Sequence, residues 1–129
     1  MKLSQEAVIE YNQIHSYDND HVVIRRQNQL ERIESNFILT RDQCITNWSV
    51  TDIANISSQQ LTELKRLDPE VILFATGSGP CIDFQKIGHQ LALSQIGAEF
   101  MALGAACRTF NLLVNEQRKV LLAASFNAL

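Results

Sequence analysis

An α/β fold is predicted by three features of the chain. Its first half alternates short runs of β-branched and apolar residues with clusters of turn-forming side chains. At Ser57-Ser-Gln-Gln60 the apolar period lengthens from two to about 3.6, the change from strand to helix. The second half carries a strand, a helix and a second strand within about thirty residues, the span of a right-handed β-α-β crossover.

In chain order, Gln13 to Tyr17 and His21 to Arg25 are separated by Asp18-Asn19-Asp20, whose side chains favour turns, so a hairpin is expected. Leu30 to Ile33, Asn36 to Leu39 and Gln43 to Val50 extend this into a mostly antiparallel N-terminal layer. Ser57 and Gln60 have capping-box spacing, and Leu61, Leu64 and Leu67 recur at helical intervals until Asp68-Pro69. Val71-Ile-Leu-Phe-Ala75 is apolar at every position, as suits a central strand covered on both faces. A helix from about Asp83 to Gln95 follows, with Gly97 expected to take the left-handed conformation that ends it. Then come a strand from Ala98 to Leu103, a helix from about Ala105 to Glu116, and an apolar strand from Lys119 to Ser125.

Bulk properties narrow the function classes. A chain of 129 residues forms a single domain, with its core at about 12–125, and can bury roughly two-thirds of its unfolded surface. The formal charge of -3 supplies no field that attracts phosphate backbones or anionic lipid, so nucleic acid is not an expected partner. Cys44, Cys81 and Cys107 lack close spacing, the cysteine usage of a reducing compartment. The N-terminal residues resemble no signal or transit peptide, and the apolar runs are too short to span a bilayer. A cytoplasmic, bacterial protein without membrane insertion is expected. No metal motif and no cofactor motif is present, so none is expected to bind.

Candidate chemistry falls on two helix starts. Gly77-Ser78-Gly79 lies between a strand and a helix, where backbone N-H groups could hold an anion, but neither a complete dinucleotide fingerprint nor a Walker loop is present. A tight turn is the simpler alternative. The run Ala98 to Asn111 reads as a strand passing through Gly104 into a helix, with Cys107 and Arg108 on the first turn, where the helix dipole and the arginine could stabilise a thiolate. Inert packing of a small cysteine is the alternative. His15, His21 and His89 are scattered, and none is placed by sequence to act as its base. Arg108, Asn111 and Asn115 form a polar stripe at helical spacing. It could face water, pair Arg108 with Glu99, or hold an external anion. Trp48 is expected in the core or at an edge.

Pro69 to Gly77, Gln95 to Met101, Gly104 to Leu113 and Glu116 to Val120 together resemble the successive motifs of the Mth938-like family of domains of unknown function. That family includes the mitochondrial complex I assembly factor three and the adipogenesis-associated protein. The likeness runs from about Ile14 to Ser125 and is most specific at Ala105-Ala-Cys-Arg-Thr-Phe-Asn111. It implies a three-layer α/β domain with a central mixed sheet flanked by helices and an additional N-terminal β layer. It implies no agreed catalytic residue, and protein binding or assembly as the type of activity, with self-association compatible. Ala98 and Phe100 stand where valines are usual, and Leu103-Gly104 where Asp-Thr is common. A competing expectation is a small-molecule or thiol-redox enzyme with a pocket between Gly77–Gly79 and Cys107–Arg108.

Overall fold

The computed structural model describes residues 11–76 and 82–126. These form a small sheet, a larger mixed sheet and three α-helices. The small sheet is antiparallel, with β1 (Gln13–Tyr17), β2 (Val22–Arg26) and β3 (Gln29–Ile33) in that order. The Asp18 amide closes the first turn by donating to the His21 carbonyl at 2.9 Å, and Asp18 Oδ1 accepts from the Asn19 amide at 2.7 Å. Gln27 and Asn28 form the second turn, with φ of 51° and 66°, the pair of positive values that a two-residue hairpin loop requires.

The larger sheet has the order β5-β4-β8-β6-β7. Its strands are β4 (Phe37–Thr40), β5 (Cys44–Thr46), β6 (Val71–Ala75), β7 (Gly97–Met101) and β8 (Val120–Ala124). β6 runs parallel to β7 and β8, whereas β4 runs antiparallel to β5 and β8. The fold is therefore α/β with a mixed sheet and a separate antiparallel β layer. The sheet assignment changes: β4 and β5 belong to the mixed sheet and not to the N-terminal layer. Phe37, Ile38 and Leu39 are all buried, and a strand without polar alternation needs cover on both faces. β8, rather than β6, then occupies the middle. The strand expected over Gln43 to Val50 stops at Thr46, because Asn47 turns left-handed at φ 56° and sends Trp48 and Val50 into the core.

The mixed sheet separates two apolar clusters by side-chain alternation. Leu73, Ala75, Leu122 and Ala124 point to one face, where they meet α3 (Leu103–Asn115) and the inner residues Ile14, Val22, Ile24 and Ile33 of the small sheet. Ile72, Phe74, Leu121 and Ala123 point to the other, covered by α1 (Ser58–Lys65) and α2 (Ile82–Ala92). There Phe100 stacks between Phe74 and Phe84, with ring centroids 4.8 and 4.6 Å apart. The capping box of α1 forms as expected: Ser57 Oγ accepts from the Gln60 amide, and the Gln60 side chain accepts from the Ser57 amide.

Each helix is followed by a left-handed residue that is not glycine: Asp68, Gln95 and Gln117, at φ 58°, 62° and 63°. After α2 the residue in this role is Gln95, not Gly97. The Ile96 amide then donates back to the Leu91 carbonyl at 3.0 Å, and both side chains bury together. Gly97 merely begins β7, where an added Cβ would meet nothing closer than 3.6 Å. We predict that Gln95→Gly raises unfolding free energy by about 0.5–1 kcal/mol by relieving the left-handed strain, and that Gly97→Ala is tolerated. Urea denaturation checks both; marked destabilisation by Gly97→Ala would contradict the assignment.

Candidate functional site

The polar stripe foreseen on α3 is where the structure concentrates its long-range hydrogen bonds. β7 ends at Met101 and Ala102 is the N-cap; it lacks a capping side chain, and its carbonyl accepts the first helical bond from Ala106 at 2.9 Å. Gly104 is therefore inside the first turn, not a hinge before it. Cys107 and Arg108 fall on the second turn, beyond the reach of the unpaired amides that would favour a thiolate.

Cys107 is 1% exposed within the cluster that contains Ala106 and Phe110. Burial pushes its thiol up to about 12, and the neighbouring Arg108 charge opposes this only in part. This is the chemistry of a packed cysteine, not of a nucleophile at neutral pH.

The three polar side chains of the stripe reach across to β1 and the residues before it. Arg108 Nη1 donates to the Tyr17 hydroxyl, a partner that none of the three alternatives named; Glu99, one of them, lies exposed on β7. Asn111 Nδ2 donates to the Ile14 carbonyl at 2.9 Å, and its Oδ1 accepts from the Ile14 amide at 2.8 Å. Asn115 Oδ1 accepts from the Tyr11 hydroxyl at 2.8 Å and from Gln13 Nε2 at 2.9 Å. Gly104 continues the line, since a Cβ there would lie 2.8 Å from Tyr17 Cε2. The glycine admits the tyrosine ring against the helix. Tyr11, Ile14 and Tyr17 were not singled out by sequence, because no local signal links them to residues about a hundred positions away.

Gly77, Ser78 and Gly79 lie outside the described residues, as does Cys81. Just before them Thr76, 1% exposed at the end of β6, carries a buried side-chain oxygen without a hydrogen-bond partner among the described residues. The histidines stay apart: His15 contacts Arg25 at 3.2 Å, His21 contacts Asp20 at 2.7 Å, and His89 is exposed on α2. No group of potential metal ligands occurs among the described residues. Trp48 is a core residue, 9% exposed.

Residues 14–125 match the family model described as a protein of unknown function, DUF498/DUF598. The chain belongs to this family. The chain is 38% identical over 71 residues to the "13 kDa major membrane protein" of Francisella tularensis, a match that covers 55% of this chain and 58% of that relative. A solved Xanthomonas campestris protein shares 29% identity at a TM-score of 0.73, over 100% of this chain and 95% of that one. A Bordetella pertussis protein described as an Mth938-like domain superposes at 0.73 with 21% identity, over 99% and 94% of the two chains, which shows a common fold. A Bartonella henselae protein called an outer membrane protein does so at 0.63 with 22% identity, over 92% and 100%. The resemblance seen in the sequence and the family assignment thus agree.

Two expectations follow. Asn111→Ala leaves both polar groups of Ile14 without their partner and should lower stability by about 2–3 kcal/mol in urea denaturation; a loss near zero would show that the exchange contributes nothing. For Cys107 the raised thiol makes stability fall at alkaline pH. Its full contribution is present below the ordinary value of 9.0 and is lost as pH rises towards about 12, because the unfolded chain releases a proton that the folded chain keeps. The slope from this group is about 1.4 kcal/mol per pH unit inside that window. Stability should therefore decline less steeply above pH 9.0 in Cys107→Ala than in the native chain; parallel declines would contradict the burial.

Proposed function

We propose that the chain acts by binding another protein, as an assembly factor of the complex I assembly factor three type, and not by catalysing a reaction. One observation carries this reading. Two of the candidate site residues are engaged in the structure itself, Asn111 by both polar groups of Ile14 and Cys107 by burial with a raised thiol. The reading places the chain in the cytoplasm of a bacterial cell. The name of the Francisella relative supports a partner at a membrane. The chain would reach that partner from outside the bilayer, since no helix among the described residues is long and apolar enough to cross it.

A second reading, a small-molecule pocket at the Gly77–Gly79 end with Arg108 as its anion contact, is favoured by the buried Thr76 hydroxyl, which has no hydrogen-bond partner among the described residues. Buried polar atoms normally have partners, so this oxygen marks a position where a water or ligand atom would be stabilised. That reading does without Cys107 as nucleophile.

The leading reading is tested by recovering an affinity-tagged chain from its own cells under gentle lysis. A defined partner should be enriched, and tagging that partner should recover this chain in return. Background proteins alone would contradict it.

A further inference from the structure

At the end of the mixed sheet opposite to Thr76, three segments meet around a cleft of about 450 Å³, a volume typical of small-molecule sites. They are the β4–β5 turn, the segment leading from α1 into β6, and the segment leading from α3 into β8. Arg41, Arg118 and Lys119 line it, together with the apolar Leu67, Pro69 and Val120.

The cations differ in how they are satisfied. Lys119 Nζ lies 3.1 Å from Asp68, and Arg118 uses its Nε for Glu70 at 3.2 Å. Arg41 has no carboxylate partner among the described residues. Its guanidinium instead sits 4.6 Å from the centroid of the Tyr11 ring. Tyr11 is itself held by its hydroxyl on Asn115, 2.8 Å away. The backbone that carries Arg41 is equally fixed. Asn12, 4% exposed, donates its amide to the Arg41 carbonyl at 2.8 Å and its Nδ2 to the carbonyls of Thr40 and Gln43, at 2.9 and 3.2 Å.

A planar cation held over an aromatic ring, with no hydrogen-bond acceptor for its N-H donors among the described residues, on an anchored turn and beside an apolar floor, is preorganised to receive a planar anion. Asp42, Asp68 and Glu70 balance the three cations locally, which favours a single negative charge over a polyphosphate. We propose that this cleft binds a small organic acid through one carboxylate held by Arg41, with the apolar body of the acid against Leu67 and Val120. The proposal is independent of both readings of function, because the cleft is lined by none of Asn111, Cys107 and Thr76.

The test titrates the nitrogen-15-labelled 129-residue chain with hexanoate, using hexanamide as the neutral control and inorganic phosphate as the competing anion. Hexanoate should give saturable amide shifts clustered at Arg41 to Gln43 and Arg118 to Val120, with a midpoint below about 10 mM. Hexanamide and phosphate should bind at least about tenfold more weakly. Arg41→Gln should remove the saturation without changing the urea midpoint. If that variant fails to fold, Arg41→Lys, which keeps charge and ring contact but loses the fork, should weaken hexanoate several-fold. Linear shifts without saturation, equal binding of the amide, phosphate binding as tight as hexanoate, or unchanged binding in a folded Arg41 variant would each overturn the proposal.

Discussion

The structure depends on the exchange of two hydrogen bonds between the Asn111 carboxamide and the backbone of Ile14. The three-stranded sheet of five-residue strands turns Ile14, Val22, Ile24 and Ile33 to one face, and that apolar face needs another element to cover it. α3 supplies that element through two stripes with different tasks. Leu103, Ala106, Phe110 and Val114 remove apolar surface from water, a non-directional force. Asn111 adds direction, presenting a donor and an acceptor to β1 as a neighbouring strand would. The free edge of β1 is thereby covered at Ile14, near the start of the strand, a common need of edge strands.

Register follows from the same contact. The pairing of β1 with β2 shifts between Ile14 and Ser16, so His15 is an extra residue in the strand. Without it Ile14 and Tyr17, three positions apart, would face opposite sides. With it they lie opposite the buried Ile24 and the buried Val22, and Tyr17 reaches Gly104 and Arg108. A slip of one residue would present His15 to Asn111 and turn Ile14 outward.

What the sequence disclosed and concealed follows the range of the forces involved. Local signals were legible: the capping box at Ser57, the apolar runs of β6 and β8, and the helical spacing of Arg108, Asn111 and Asn115. The start of α3 was not, because Met101-Ala-Leu103 contains no capping side chain and apolar residues fit the end of a strand or the beginning of a helix equally well. The membership of β4 in the mixed sheet was available in the unbroken burial pattern of Phe37-Ile-Leu39, but its partner β8 lies more than eighty residues away. Likewise the stripe could be seen, whereas the strand it holds could not. The run of α3 that carries the polar stripe is thus a joint between layers, and the cleft beside Arg41 had no motif at all, because it assembles from three separated segments.

The central claim is that β1 and α3 form one cooperative unit, and native-state amide exchange at Ile14 tests it most directly. If the Asn111 carboxamide closes the edge of β1, the Ile14 amide should exchange only through global opening, with protection equal to that of Leu73 and Leu122 in the mixed sheet. Exchange at Ile14 as rapid as in the surface turns, while Leu73 and Leu122 remain protected, would show that β1 leaves the helix freely and would contradict the account.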